Sequence, residues 1–292
     1  MSAAAVKYAA PDRSAPLVEG EFLFTEEDFK TIAAVLHADS GIYLPAAKAT
    51  LVYSRLAKRL RALGLRLFSE YCELVTGPEG QQERRAMLAA LTTNVTRFFR
   101  EPHHFDHLRQ NVLPPFIEAA RKGARVRLWS AGCSTGQEPY SIGLTLLGLM
   151  PDAAQFDVKI LATDIDPVVL GTARAGSYSE EAVGPIPQQM RRWLAPVAGS
   201  GDWRVGEELK RLVAFRELNL LGPWPMKGRF QAIFCRNVAI YFEDSAQQRL
   251  WERFAGVLEP GGRLYVGHSE RATPAVLQQD GLTTYKVREG RA

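Results

Sequence analysis

The chain has 292 residues, 46% of them hydrophobic and 23% charged, with a formal net charge of +4. That length holds one large domain, or a large one with a small companion, and the composition is ordinary for a globular protein in water. Three widely spaced cysteines (Cys72, Cys133, Cys235) form no C-x-x-C pair, which excludes a disulfide scaffold or a cysteine zinc site.

The apolar runs, such as Ile142 to Met150, are too short to span a bilayer, and no secretory signal pattern follows Met1. A cytoplasmic protein without membrane insertion is therefore expected. Residues 1–20, rich in Ala, Pro and Ser, read as a flexible tail. Thr25 and Asp28 form a capping box ahead of Phe29, Ile32, Ala33 and Leu36 at helical spacing, and Gly41 closes that helix. Pro45 opens a second helix that runs to Leu63 and stops at Gly64; two more follow, over 68–75 and 81–91. Residues 21–91 thus predict a small all-helical domain.

A linker segment, 92–111, carries the start of a helix that runs from Pro102 to about Lys122. From 112 to 292 the pattern alternates. Apolar runs predict strands at Val126–Trp129, Val158–Ala162, Leu212–Phe215, Phe230–Phe234 and Arg263–Gly267, with helices over Pro139–Leu149, Pro167–Ala175 and Ser245–Leu258 between them. Such alternation implies a mostly parallel sheet covered on both faces. Residues of about 190–211, with Gly199 and Gly201, interrupt it as a small β insertion.

The first strand ends in Ser130-Ala-Gly132-Cys-Ser134-Thr-Gly136-Gln-Glu138-Pro139. A strand, a turn of small residues and a helix bring backbone N–H groups close to a ligand, although the pattern is not a clean G-x-G-x-x-G. The second strand ends in Thr163-Asp164-Ile-Asp166. A carboxylate there suits a ribose diol because it accepts two hydrogen bonds; the bland alternative, helix capping, fits Asp166 better than Asp164. Leu258-Glu-Pro260-Gly261-Gly262 before the last strand is similar to the late element of class I methyltransferases.

The longest resemblance is spread along nearly the whole chain. Thr92-Thr-Asn94-Val-Thr96-Arg-Phe-Phe-Arg100-Glu, Ser134-Thr-Gly-Gln-Glu138-Pro-Tyr-Ser141, Thr163-Asp-Ile-Asp166, Phe234-Cys-Arg236-Asn237-Val-Ala-Ile-Tyr241-Phe and Gly267-His-Ser-Glu270 stand in one order. They resemble the motifs of CheR-type chemotaxis receptor methyltransferases. The resemblance implies an α/β class I S-adenosylmethionine methyltransferase (Rossmann-like) domain with a small β-subdomain, preceded by an all-helical domain. It further implies methyl transfer from S-adenosylmethionine to receptor glutamates, with S-adenosylhomocysteine as product and no metal.

Carried over position by position, the implied cofactor contacts are Asn94, Thr96, Arg100, Glu138, Asp164, Asn219, Leu220, Arg236 and Asn237. Asn94 and Thr96 could instead serve as local turn or cap residues, and Asn237 as a structural turn. Arg100 and Tyr241 are the candidates for substrate positioning. A glutamate carboxylate, with an unperturbed pKa of about 4.3, is already ionised near neutral pH and needs no general base. In-line positioning is then the enzyme's main task.

Lys48, Arg55, Arg59 and Arg66 fall in one wedge at about 100° per residue, in a stretch of six basic residues and no acidic one. This face resembles the family's contact with the glutamate-rich methylation helices of the receptor; a plain solvated face and nucleic acid are the alternatives, the latter without aromatic interleaving. The β insertion is slightly shorter than in members that tether a C-terminal receptor pentapeptide, so a tether-independent enzyme is expected; a monomer is expected as well. His103 and His107 have metal-ligand spacing but read as a solvated helical turn. Cys133, with no flanking cation, reads as packing, as do Trp193, Trp203 and Trp224. Other readings are a different S-adenosylmethionine enzyme, a regulatory module without turnover, or a dehydrogenase. The first lacks the N/D-P-P-Y/F grip for a flipped base, and the last is disfavoured by the Pro260-Gly-Gly element.

Overall fold

The computed structural model describes residues 15–273 and 275–288; most of the expected N-terminal tail, residues 1–14, lies outside them. The chain divides into two compact units, with the boundary between Thr93 and Asn94. Most of the expected linker, from Asn94 onward, therefore belongs to the second unit.

The first unit is helical. α1 (Glu26–Ser40) starts at the Thr25–Asp28 capping box and ends at Gly41, whose φ of 75° is left-handed. α2 (Ala49–Leu63) follows a short 3-10 turn at Ala46–Lys48 and ends at Gly64. α3 (Phe68–Thr76) and α4 (Gln81–Leu91) complete the bundle. Ile32, Leu36, Val52, Leu56, Leu60, Tyr71, Val75 and Met87 bury its core, and the Phe24 and Phe68 rings pack 4.4 Å apart.

The basic wedge needs correction. Lys48 lies before α2 and Arg66 after it, so only Arg55 and Arg59 share the helical face. Those two are engaged within the unit. Arg55 Nη1 donates to the carbonyls of Ala90, Leu91 and Thr92, satisfying the end of α4. Arg59 makes a two-pronged contact with the buried Glu83, at 3.0 and 2.6 Å, and the Tyr71 hydroxyl donates to the same carboxylate at 2.8 Å. Lys48 and Arg66 remain exposed.

The second unit opens with α5 (Pro102–His107) and α6 (Leu113–Arg121), joined by a π-helical turn at Leu108–Val112. One continuous helix was expected here. Pro114 and Pro115 supply no N–H, so the ladder cannot continue regularly; Leu113 N–H instead bonds Leu108 O, and the prolines occupy the first turn of α6.

Next come β1 (Val126–Ala131), α7 (Gln137–Leu149), β2 (Val158–Asp164) and α8 (Pro167–Ala175). The small insertion follows: β3 (Ser177–Ser179), α9 (Glu180–Val183), β4 (Leu194–Pro196) and β5 (Asp202–Val205). These strands form an antiparallel sheet in the order β3-β5-β4. The insertion thus starts earlier than the expected 190, because Ser177–Ser179 pairs with β5, and its expected end is α10 (Glu207–Leu212).

The chain then returns to the main sheet with β6 (Val213–Glu217), β7 (Phe230–Cys235), α11 (Asp244–Val257), β8 (Leu258–Val266), β9 (Leu277–Gln279) and β10 (Thr284–Val287). The order is β6-β2-β1-β7-β8-β10-β9, parallel from β6 to β8, with β10 antiparallel to β8 and β9 to β10. Pro260-Gly-Gly is not a turn before the strand but lies in an irregularity of β8, where the pairing register with β7 shifts and Gly261 takes a φ of 80°. No helix among the described residues is long and apolar enough to cross a membrane.

Strand order reverses between β1 and β7, which opens a crevice at their C-terminal ends, where open α/β sheets receive ligands. In the first unit, Glu83→Ala leaves Arg59 and Tyr71 without their carboxylate. We expect a loss of about 2 kcal/mol in urea unfolding, below the ~3–5 of a fully buried pair because Arg59 keeps solvent access.

Candidate active site

The turn after β1 folds tightly because three residues take left-handed conformations: Gly132 (φ 92°), Ser134 (φ 49°) and Gly136 (φ 98°). A Cβ on Gly132 would meet Val238 Cγ2 at 2.3 Å, so only glycine lets the β1 and β7 loops approach this closely. The N–H groups of Gly132 and Cys133 both donate to Thr163 O at 2.8 Å, which fastens the turn to the end of β2.

Asp164 ends β2 facing this turn. Ser134 N–H donates to its Oδ2 at 2.8 Å and Asp166 N–H to its Oδ1 at 3.1 Å. Burial pushes its carboxyl above the usual range, while these backbone donors pull it back. Asp166 does something different. Its Oδ1 accepts from Val168 N–H at 2.8 Å, capping α8, and its Oδ2 accepts from Asn94 Nδ2 at 3.2 Å. Asn94 is also held through its carbonyl, which accepts from Ser134 Oγ at 3.1 Å. Asn94 therefore bridges the ends of β1 and β2.

Arg236, directly after β7, has a side chain only 2% exposed. Its Nη1 lies 3.3 Å from Glu138 Oε2, its Nη2 lies 3.4 Å from Glu101 Oε2, and Nη2 donates to the carbonyl of Arg100. Glu138 also accepts from Ser130 Oγ at 2.7 Å. Burial raises the Glu138 carboxyl, and the Arg236 guanidinium and the Ser130 hydroxyl oppose that rise. Glu101 is partly buried, which pushes its carboxyl up, but Arg236 and the hydrogen bond with His268 hold it below the usual range.

Arg100 stands between two residues with left-handed backbones, Phe99 (φ 51°) and Glu101 (φ 56°), and its Nη1 donates to Val95 O at 3.1 Å. Phe99 N–H donates to Ser141 Oγ at 2.9 Å, which ties this elbow to α7. Thr96 is half-buried in the same stretch. Asn237 is left-handed too (φ 59°), and Tyr241 sits half-buried in a single 3-10 turn, Ala239–Tyr241.

Glu270 carries this β7 loop. Its carboxylate accepts from the N–H groups of Asn237 (2.8 Å), Val238 (2.9 Å), Ala239 (2.7 Å) and Gly267 (2.6 Å). Sequence reasoning quoted Glu270 and Glu101 within motifs without assigning either a role. The signal available was the presence of both acids inside the ordered motifs, Glu101 directly before Pro102 and Glu270 shortly after β8.

On the other flank, Leu218 N–H donates to Asp164 O at 2.9 Å, so the turn after β6 starts beside Asp164. Asn219 Oδ1 accepts from Leu221 N–H at 2.9 Å, and Leu220 is buried.

His103 and His107 do not converge. His107 turns to Tyr265, its Nδ1 3.1 Å from the hydroxyl. Glu101, His103 and His104 instead bring one ligand-type atom each to within 4.8 Å of one another. The Arg236 guanidinium beside the same Glu101 oxygen already supplies a positive charge there and opposes a dication. Cys133 and Cys235 are buried thiols pushed well above their ordinary pKa by desolvation, unsuited to nucleophilic work.

A parallel sheet with this crevice, an acid ending β2 and a glycine turn after β1 define a class I methyltransferase domain. Residues 94–285 match the family described as CheR methyltransferase, SAM binding domain, and residues 27–92 match its all-alpha domain. A "Probable chemotaxis protein methyltransferase" of Rhizobium etli is 54% identical over 258 residues, 86% of this chain and 96% of the relative. "Chemotaxis protein methyltransferase 2" of Pseudomonas aeruginosa is 43% identical over 279 residues, covering 91% and 94% of the two chains. The "Chemotaxis protein methyltransferase" of Escherichia coli is 42% identical over 253 residues, covering 84% and 85%. The chain belongs to the CheR methyltransferase family and is an S-adenosylmethionine-dependent chemotaxis methyltransferase.

His104 gives a pH test of the site's integrity. It is fully buried with Nε2 2.8 Å from Thr283 Oγ1, and its pKa is lowered to about 3 by burial and then by Arg236. The unfolded chain takes up this proton near pH ~6.5 and the folded chain does not, so stability is lost as pH falls below that value. We expect the melting temperature to drop between pH 7 and pH 5, and His104→Gln to flatten that dependence.

Proposed function

We propose that the chain methylates glutamate side chains on the cytoplasmic methylation helices of bacterial chemoreceptors, forming glutamate 5-O-methyl esters that adjust signalling gain. The observation that carries this reading is the Asp164 site, together with relatives whose names place them in chemotaxis.

The donor chemistry of the crevice fits S-adenosylmethionine. Asp164 receives backbone donors from one side and keeps acceptor capacity for a ribose diol. Asn219 and Leu220, beside it, offer one polar and one apolar contact to an adenine ring. Glu138 places negative charge for the cationic amino-acid end, and Arg236 holds Glu138 in place from behind. Asn94, Thr96 and Asn237 line the same crevice as further contacts. When bound, S-adenosylmethionine supplies the methyl group.

The protein's part is positioning. The substrate carboxylate is ionised near neutral pH, so Arg100 and Tyr241 need only orient one of its oxygens and exclude water; no side chain has to remove a proton. Arg100 is suited to this because the elbow at Phe99–Glu101 fixes its backbone. Lys48 and Arg66 are the exposed cations offered to a glutamate-rich helix, while Arg55 and Arg59 shape that surface from within. The enzyme acts as a cytoplasmic monomer without a metal and without a receptor tether on its small sheet.

The direct test incubates the protein with methyl-labelled S-adenosylmethionine and receptor-bearing membranes. Carboxyl esters release their label as methanol in base, so base-labile counts on the receptor are expected; stable label, or none from protein that binds S-adenosylhomocysteine, would point to another acceptor.

Two variants divide the roles. Asp164→Ala should weaken S-adenosylhomocysteine binding by at least tenfold, or about 1.4 kcal/mol, by calorimetry. In the parent protein, affinity should fall with pH from somewhat above the usual carboxylate range, because the buried Asp164 takes a proton early and then loses acceptor capacity. Lys48→Glu combined with Arg66→Glu should raise the KM for receptor and leave S-adenosylhomocysteine affinity unchanged.

A further inference from the structure

The turn at Asn219–Gly222 is held through its backbone carbonyls by Arg253, a residue outside those assigned to the cofactor or substrate. Leu220 O accepts two hydrogen bonds, from Trp224 Nε1 at 3.0 Å and from Arg253 Nη1 at 2.7 Å. Arg253 Nη2 donates to Gly222 O at 2.6 Å, and its guanidinium lies 4.0 Å over the Trp224 ring. One planar fork thus grips two carbonyls two residues apart, which fixes both the position and the tilt of the turn.

The packing of α11 does not demand an arginine at this place. The buried face of that helix is Ala246, Leu250, Trp251, Phe254 and Ala255, and Arg253 lies beside it, half-buried. Within the turn itself, Gly222 N–H donates to Asn219 O at 3.1 Å and Leu221 N–H to Asn219 Oδ1 at 2.9 Å. Trp224 meets Trp129 edge to face at 4.9 Å, and Trp129 Nε1 donates to Thr163 Oγ1 at 2.9 Å, one residue before Asp164. A continuous chain of contacts therefore links Arg253 to the acid that ends β2.

We infer that Arg253, with Trp224 as its platform, is a positioning residue that sets the adenine-side turn in register with the ribose-side Asp164. The inference rests on the proposed function, in which Asn219 and Leu220 face the adenine. Because the turn contacts the nucleoside and not the reacting atoms, Arg253 governs how tightly the adenosine part is held and leaves the methyl-transfer step nearly untouched.

The test uses the full chain with Arg253→Met, Arg253→Lys and Trp224→Phe. Dissociation constants are measured for S-adenosylhomocysteine and for 5′-methylthioadenosine, which keeps the nucleoside and lacks the amino-acid end. Arg253→Met should weaken both ligands by a similar factor of about ten, and raise the KM for S-adenosylmethionine alike with kcat within about twofold. Arg253→Lys, whose ammonium reaches one carbonyl in place of two, should fall between Met and the parent. Trp224→Phe should shift affinity in the same direction by less.

Parent-like dissociation constants in folded Arg253→Met, whatever its melting temperature, overturn the inference. So does a fall in kcat at unchanged KM. If Arg253→Met does not fold, parent-like affinity in both other variants has the same consequence. Failure of the parent protein to bind S-adenosylhomocysteine would sink the proposed function itself, and this inference with it.

Discussion

A guanidinium taken out of water loses several kcal/mol of hydration unless partners replace it. Arg236 has such partners in Glu101, Glu138 and the carbonyl of Arg100. These groups come from the elbow before α5 and from the first turn of α7, and Arg236 itself leaves β7. One buried cation thereby joins three segments distant in sequence. Without it, two acids would face each other in a desolvated space, and the segment carrying Arg100 would lose one of its ties to the rest of the unit. The arrangement of the whole crevice depends on this charge being present and enclosed.

Backbone strain is gathered around the same place. Of the five described non-glycine residues with positive φ, four (Phe99, Glu101, Ser134 and Asn237) lie just before α5 or directly after β1 and β7. Each such conformation costs of order 1–3 kcal/mol and persists only where surrounding bonds enforce it. Here the enforcing bonds are identifiable: Phe99 N–H to Ser141, Ser134 N–H to Asp164 and Asn237 N–H to Glu270. The acids of the site thus have two occupations. Glu270 is spent on holding backbone, Asp166 on capping and on Asn94, and Asp164 accepts from the N–H groups of Ser134 and Asp166.

The first unit shows how charge in a sequence can mislead about charge on a surface. A run of basic residues without an acid looks like an unpartnered positive face. In the folded unit Arg59 is claimed by Glu83, Arg61 by Glu21 and Arg55 by carbonyls at the end of α4. The partners lie 24 to 40 residues away in sequence, too far for helical periodicity to reveal. Outside these pairs, Lys48, Lys58 and Arg66 remain exposed, a smaller positive surface than the sequence suggests.

The sequence by itself determined the class of fold and the family, because both rest on local signals. Helix starts and stops follow from capping residues and left-handed glycines, as at Thr25, Gly41 and Gly64, and buried parallel strands betray themselves as short apolar runs. The ordered motifs single out Asn94, Glu138, Asp164, Arg236 and Asn237 as candidates, and the fold brings hydrogen bonds and ion pairs to them. Local signals were weak where strands are short and polar, so β3, β9 and β10 escaped notice, and the Pro114-Pro115 break was read as continuous helix. Only the tertiary structure decided what each charged residue does. Which backbone groups a carboxylate holds, as Asp164 holds the turn after β1 and Glu270 the loop after β7, depends on which N–H groups folding brings to it, and those come from segments the linear order does not connect.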